Sequence, residues 1–183
     1  MQQYIEEEIT KQLRDPAHQR DAFAQVVNFY GEKLYWQIRK MVLDHDDAND
    51  LLQNTFLKAW MNIDYFRGEA KLSTWLYKIA INECITFLNR QRMQNNVSID
   101  DTDVFLLECL KGDEYFDGDA AQMKLQKAIL TLPEKQRAVF NMKYFDDMKY
   151  EDMSEIFGTS VGALKASYHH AVKKVEEFLT KDI

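Results

Sequence analysis

The chain has 183 residues, 46% of them hydrophobic, with only two prolines, six glycines and a formal net charge of -7. That length and apolar content suffice for one ordinary domain or two small ones and exclude a disordered chain. The start MQQYIEEEIT has no basic stretch leading into an apolar one, and no apolar run approaches a membrane span, so a cytoplasmic protein without membrane insertion is expected.

Apolar residues recur every three or four positions with hardly any period-two runs, which predicts an all-α protein without a sheet. Cys84 and Cys109 fit neither a disulfide framework nor metal-ligand spacing and are expected as small core residues; no metal and no cofactor is predicted. The charge is unevenly spread. Residues 1–92 carry net -1, residues 93–123 net -7 and residues 124–183 net +1. Two small helical domains, 1–92 and 124–183, joined by an acidic linker, 93–123, follow from that partition.

In chain order, Asp15-Pro16 predicts a helix start, Asp15 capping and Pro16 in the first turn. Phe23, Val26, Val27, Tyr30, Leu34, Ile38, Met41 and Val42 then form one stripe of core spacing. The next helix, within DHDDANDLLQNTFLKAW, puts Ala48, Leu51, Leu52, Phe56, Ala59, Trp60 and Ile63 on one face. Its other face interleaves Asp50 and Asn54 with Leu57 and Met61, a pattern that fits either a protein-docking surface or scattered exposed apolar residues.

Phe66 to Lys71 reads as a loop carrying Arg67, Gly68 and Lys71, after which Ser73 or Thr74 caps a helix running to about Arg92. Leu76, Ile79, Ala80, Cys84, Phe87 and Leu88 are its predicted core face. Trp75, Lys78, Asn82, Thr86 and Asn89 share the other side, and an aromatic, a cation and amides beside a basic loop are what a single nucleic-acid strand needs for stacking, phosphate contact and base-edge hydrogen bonds. Trp75 at the helix start also fits the core, the commoner place for a tryptophan. The linker carries a short apolar patch, Val104 to Leu107, and two glycines, Gly112 and Gly118; it serves as a tether or threads a basic groove of a partner.

In the second domain Leu132-Pro133 separates two helices, and Tyr150 to Phe157, a turn at Gly158 to Ser160 and a long helix from Val161 to about Leu179 have the spacing of a DNA-binding helix-turn-helix. Ser154 permits close crossing, Gly158 supports the turn, Ser160 caps the second helix and Leu164 packs between the two. That helix exposes Lys165, Ser167, His169, His170, Lys173 and Lys174 with no carboxylate before Glu176, and its first amides near Ser160, Val161 and Gly162 can meet a phosphate. His169 and His170 point about 100° apart on a helix and cannot chelate one metal together.

These two blocks, DDANDLLQNTFLKAW with FRGEAKLSTWLYKIAIN and LTLPEKQRAVFNMKYFDDMKYEDMSEIFGTSVGALKASYHHAVKKV, resemble domains two and four of a bacterial sigma factor of the extracytoplasmic-function (ECF) group in the sigma-70 family. The resemblance implies that Asp47, Asp50, Gln53, Asn54, Leu57 and Met61 dock on the β′ clamp of core RNA polymerase. It implies that Phe66, Arg67, Gly68, Lys71, Trp75, Lys78 and Asn82 capture melted bases of the minus-ten promoter element. It further implies that Ser160, Val161, Gly162, Lys165, Ser167, His169 and Lys173 read the minus-thirty-five element in duplex form, beside the β flap, and that an anti-sigma factor covers both domains. The chain departs from the family pattern at Ile81, where Arg is frequent, at Thr86, where Asp is, and at Ser167, His170 and Val172 in the reading helix. No phosphate-binding glycine loop and no nucleophile paired with a base is present, so no catalysis is assigned to the chain itself. The competing expectations are an autonomous helix-turn-helix regulator, which has no use for the Trp75 surface, and a helical adaptor, which leaves the acid-free stretch 161–175 without a role.

Overall fold

The computed structural model describes residues 5–94 and 119–181. Among them are eight α-helices, one short 3-10 turn and no strand. Most of the predicted linker, with Val104 to Leu107, Cys109, Gly112 and Gly118, lies outside the described residues.

Helix α1 (Glu6–Gln12) is absent from the sequence-based expectation. Its signal is short: Ile9 and Leu13, four apart, are 4% and 1% exposed, and they seat it on α2 (Gln19–Val42). Helix α2 does not start at Pro16. Asp15 instead accepts from the Ala17 N–H at 3.1 Å and pairs with His18 Nδ1 at 2.5 Å, while the His18 and Gln19 amides donate to its carbonyl. An aspartate that bonds two residues ahead makes a turn in competition with a cap, and the helix begins after it.

Helices α2, α3 (His45–Met61) and α4 (Leu72–Gln94) pack against one another, with the 3-10 turn Ile63–Tyr65 after α3. Asp44 caps α3 by accepting from the Asp47 N–H at 2.9 Å. In α4 neither Ser73 nor Thr74 is the cap. The helix starts earlier, and the Leu72 N–H donates to Glu6 Oε1 of α1 at 2.7 Å. A carboxylate from 66 residues upstream satisfies one of the free amides at the start of the helix and complements its dipole. Cys84 is a core residue as expected; burial, reinforced by the nearby Glu83 charge, pushes its thiol up to about 12.

The second group comprises α5 (Ala120–Leu130), α6 (Glu134–Tyr144), α7 (Tyr150–Phe157) and α8 (Val161–Thr180). Pro133 is the residue just before α6, one place earlier than a first-turn proline. Buried Arg137 donates from Nη2 to the carbonyls of Leu130 and Leu132 at 2.8 and 3.2 Å and so closes the turn between α5 and α6. Ala128, Ile129, Leu132, Phe140, Ala171 and Val175 form a core private to this half.

The larger core belongs to both halves. Leu34, Ile38, Met41 and Ile81 of the first are continuous with Ala138, Val139, Met142, Met153, Ile156 and Leu164 of the second. The contacts run from α4 to α6 and α7 and from α2 to α6.

The turn between α7 and α8 tests its own geometry. Gly158 has φ +61° with open space where a Cβ would stand, so any cost of substitution there is backbone strain alone. Gly158→Ala is expected to lower unfolding stability by about 1–2 kcal/mol in urea titrations, and Gly158→Asn by less, because Asn tolerates the left-handed region.

Candidate nucleic-acid interface

Asp50, Gln53, Asn54, Leu57 and Met61 all stand exposed on α3, and Asp47 is half-buried at its start. Leu57 and Met61, one turn apart, are 57% and 69% exposed, so the outward face does carry unpartnered apolar surface among polar groups. Partial burial raises the Asp47 carboxyl above the ordinary value, and the charges of Asp44, Asp50 and Asp46 add to that. Trp60, assigned to the core stripe, is 38% exposed, with its ring 5.1 Å from Phe23.

In the loop before α4, Arg67, Gly68 and Lys71 are exposed but Phe66 is not. Phe66 is 6% exposed, and its ring lies 5.0 Å from that of half-buried Trp75. It supports Trp75 from below and does not face solvent as a base-stacking ring would. Gly68 takes φ +71°, where a side chain would be strained, and a Cβ there would meet Arg14 Nη2 at 2.5 Å and push the guanidinium aside from the Arg67 carbonyl, to which it donates. Lys78 and Asn82 are exposed on α4.

Beside this loop a cleft of about 380 Å³ is lined by Lys58, Asn62, Tyr65, Trp75, Ile79, Asn82 and Glu83. Four of these polar or aromatic groups, Lys58, Asn62, Tyr65 and Glu83, were not singled out from the sequence. Tyr65 is 79% exposed next to the half-buried Trp75, and Lys58 is held by Glu83. The signal was the run NIDYF, where the aromatic at 65 falls off the core stripe of the preceding helix.

The helix-turn-helix is built as its spacing predicts. Ser160 caps α8, accepting from the Ala163 N–H at 3.2 Å. Ser154 does more than permit close approach: its hydroxyl donates to the Thr159 carbonyl at 2.6 Å and ties the turn to α7. Gly162, Lys165, His169 and Lys173 are exposed, while Val161 and Ser167 are half-buried. Gln136 of α6 donates to the Ser167 carbonyl at 3.4 Å, and Lys174 donates to Gln136 Oε1 at 3.3 Å. The rings of His169 and His170 are 6.0 Å apart, and no group of three acidic, histidine or cysteine side chains among the described residues is arranged to hold a metal.

The structure brings one residue of each set, Asn82 and Ser167, to the same cleft and leaves Arg67, Lys78, Lys165, His169 and Lys173 exposed. Ile81, Asn82 and Ile85 of α4 share one cleft of about 250 Å³ with Lys135 and Val139 of α6, Ile156 and Phe157 of α7, Thr159, and Ala163, Leu164 and Ser167 of α8. Ion pairs flank it. Lys71 bonds Asp152 at 2.9 Å, Lys40 bonds Asp146 at 3.1 Å while lying 4.8 Å above the Phe145 ring, and Arg92 pairs with Glu134. The hydrogen bond and charge of Asp152 hold the Lys71 ammonium above its ordinary value. Ile81, the departure from the family pattern, is 2% exposed and lies at the centre of this contact.

Residues 26–93 match the family Sigma-70 region 2, and residues 122–175 match Sigma-70, region 4. The chain is 31% identical over 158 residues to the ECF RNA polymerase sigma factor SigW of Bacillus subtilis, covering 82% of this chain and 84% of the relative. In fold it is similar to the sigma factor RpoE of Bartonella quintana, solved in complex with the anti-sigma factor NepR, at TM-score 0.65, 24% identity, and coverage of 88% of this chain and 98% of that one. It is similar also to CnrH in complex with the cytosolic domain of CnrY, at TM-score 0.69, 20% identity, and coverage of 97% and 99%. With two sigma-70 regions matched in order and a relative of this identity along most of both chains, the chain belongs to the ECF group of the sigma-70 family, the factors that direct transcription initiation from promoters.

Proposed function

We propose that this sigma factor docks on the β′ clamp of core RNA polymerase through Asp47, Asp50, Gln53, Asn54, Leu57 and Met61 and reads promoter DNA with two separate surfaces. Arg67, Lys71, Lys78 and Asn82, with the Trp75 ring on its Phe66 support, receive melted bases of the minus-ten element. The exposed face of α8 at Lys165, Ser167, His169 and Lys173 reads the minus-thirty-five duplex beside the β flap. The residue partition supports domains 1–92 and 124–183, with the acidic linker between them.

The observation that carries this reading furthest is the shared cleft of Asn82 and Ser167. Elements about 25 base pairs apart are separated by about 85 Å of duplex at ~3.4 Å per pair. One cleft cannot serve both, so the closed arrangement is an inactive one and the halves part when polymerase is engaged. Two features favour parting. Both side-chain amide atoms of Gln37, one turn before Met41 on α2, and Asn141 Oδ1 of α6 are buried without a hydrogen bond, an arrangement that a permanent core seldom keeps. The flanking ion pairs are partly exposed, and such pairs contribute little each. An anti-sigma partner would cover both domains and so keep them from polymerase; the similar RpoE was solved in complex with such a factor.

Each surface offers only a handful of cations on a chain of net charge -7, and Lys71 and Lys173 have carboxylate partners, so DNA affinity of the isolated chain is weak and rises only when polymerase presents both surfaces at high effective concentration. Run-off transcription from a promoter library is expected only when chain and core polymerase are both present. Tight, specific duplex binding by the chain alone would instead favour an autonomous regulator. With core polymerase bound equally, Trp75→Ala is expected to reduce open-complex formation by about 5- to 150-fold, the loss of one base-stacking platform worth ~1–3 kcal/mol.

Ile81→Arg puts a charge into the apolar contact, which costs several kcal/mol unless the halves separate. Small-angle scattering is expected to show a larger radius of gyration at unchanged helical circular dichroism; an unchanged radius would count against a separable contact. Salt also favours opening, through screening of the flanking pairs. Because the Lys71 ammonium titrates above its ordinary 10.5, its contribution to closure is complete below that pH and is lost only as pH rises through the elevated value. The salt effect is therefore expected to persist with the same size from pH 6 to 9.

A further inference from the structure

The segment ahead of residue 26, where the region 2 match begins, reaches the Phe66 to Lys71 loop at several points. Glu6 of α1 accepts from the Leu72 N–H through Oε1 at 2.7 Å and from the Tyr30 hydroxyl through Oε2 at 3.0 Å, which fixes the C-terminal end of the loop to α2. Arg14 donates to the Arg67 carbonyl in the middle of the loop, beside Gly68. Gln19 donates from Nε2 to the Leu13 carbonyl and to Asp64 Oδ1, both at 2.9 Å, and so ties the approach to the loop back to the same segment. Ile9 and Leu13 anchor α1 in the core beneath these contacts.

Each hydrogen bond acts on backbone or on a flanking side chain and so on loop shape; the Glu6 charge also acts on Lys71, an effect that Glu6→Gln removes while keeping an oxygen for the Leu72 amide. A six-residue connection left to itself samples many conformations and can shift to accommodate a wrong base, whereas a loop held in one shape meets the right and the wrong base with different contacts. Resting on the base-contacting role proposed above for this loop, we infer that α1 and the turn after it are its positioning element, with Glu6 and Arg14 as positioning residues that set how sharply the minus-ten bases are discriminated. Neither residue touches DNA in this scheme.

The experiment uses the full chain with core polymerase on a promoter selected from a randomised library by the wild-type chain, together with single-base variants of its minus-ten and minus-thirty-five elements. The readout is the ratio of run-off product between templates. Loss of folded protein lowers all templates by one factor, whereas a misplaced loop changes their ratios. Glu6→Ala and Arg14→Ala are expected to flatten minus-ten preferences by about tenfold, an extent typical of lost preorganisation, with minus-thirty-five ratios unchanged. Glu6→Gln, which keeps an oxygen for the Leu72 amide, and Arg14→Lys, which keeps a donor for the Arg67 carbonyl, are expected to restore most of the preference. Wild-type minus-ten ratios in the alanine variants, or flattening at both elements together, would overturn the inference. Lys78→Ala and Asn82→Ala run in parallel separate it from the reading beneath it. If they alter minus-ten ratios while the Glu6 and Arg14 variants do not, the base-contacting role stands and the positioning role falls; if no variant in either set alters them, both fall.

Discussion

The apolar contact between the two halves governs what the rest of the molecule presents. Leu34, Ile38, Met41 and Ile81 are buried with Val139, Met142, Ile156 and Leu164. At ~25 cal/mol per Å² of apolar surface, such a contact easily outweighs exposed ion pairs worth about 0–1 kcal/mol each. The pairs Lys71–Asp152, Lys40–Asp146 and Arg92–Glu134 therefore set the register of closure more than its strength. Opposing it are both amide atoms of Gln37 and the Asn141 Oδ1, whose missing hydrogen bonds cost on the order of 1–3 kcal/mol each, while Asn141 Nδ2 donates to Met41 Sδ at 3.8 Å across the contact and partly offsets them. Closure is favourable without being as tight as a uniformly apolar core.

The same contact reconciles an acidic chain with a polyanionic template. Several cations near the candidate surfaces have carboxylate partners in the closed form: Lys58 with Glu83, Lys71 with Asp152, and Lys173 with Glu177 at 4.0 Å. Parting the halves releases Lys71, because Asp152 belongs to the other half, but leaves the two local pairs in place. Positive potential on the loop, already supplied by exposed Arg67, thus increases when α7 moves away from Lys71. Overall acidity, concentrated in residues 93–123, meanwhile disfavours indiscriminate attachment to DNA.

Small residues decide the local geometry of both surfaces. Gly158 allows the left-handed turn into α8, and Ser154 and Ser160 satisfy backbone groups on either side of it. Gly68 does the corresponding work in the loop, where its missing Cβ admits Arg14. In each case a rigid helix start is delivered at a fixed angle, α8 in one half and α4 in the other.

Local periodicity was enough to fix most helices. The stripes of α2, α3 and α4, the break at Leu132-Pro133, and the bounds of α7 and α8 follow from side chains three or four residues apart, whose spacing the backbone itself dictates. The turn at Asp15, the buried Phe66 and the Tyr65 cleft were not legible, since each depends on a choice between two locally acceptable partners. Still less so were Glu6 at the start of α4, 66 residues away, Arg14 at Arg67, and the seat of Ile81 among α6, α7 and α8. Periodicity and turn chemistry were sufficient for every described helix but α1 and for the family pattern. That Asn82 and Ser167 share one cleft emerges only from packing, because burial is a property of elements brought together from distant parts of the chain and leaves no period in any one of them.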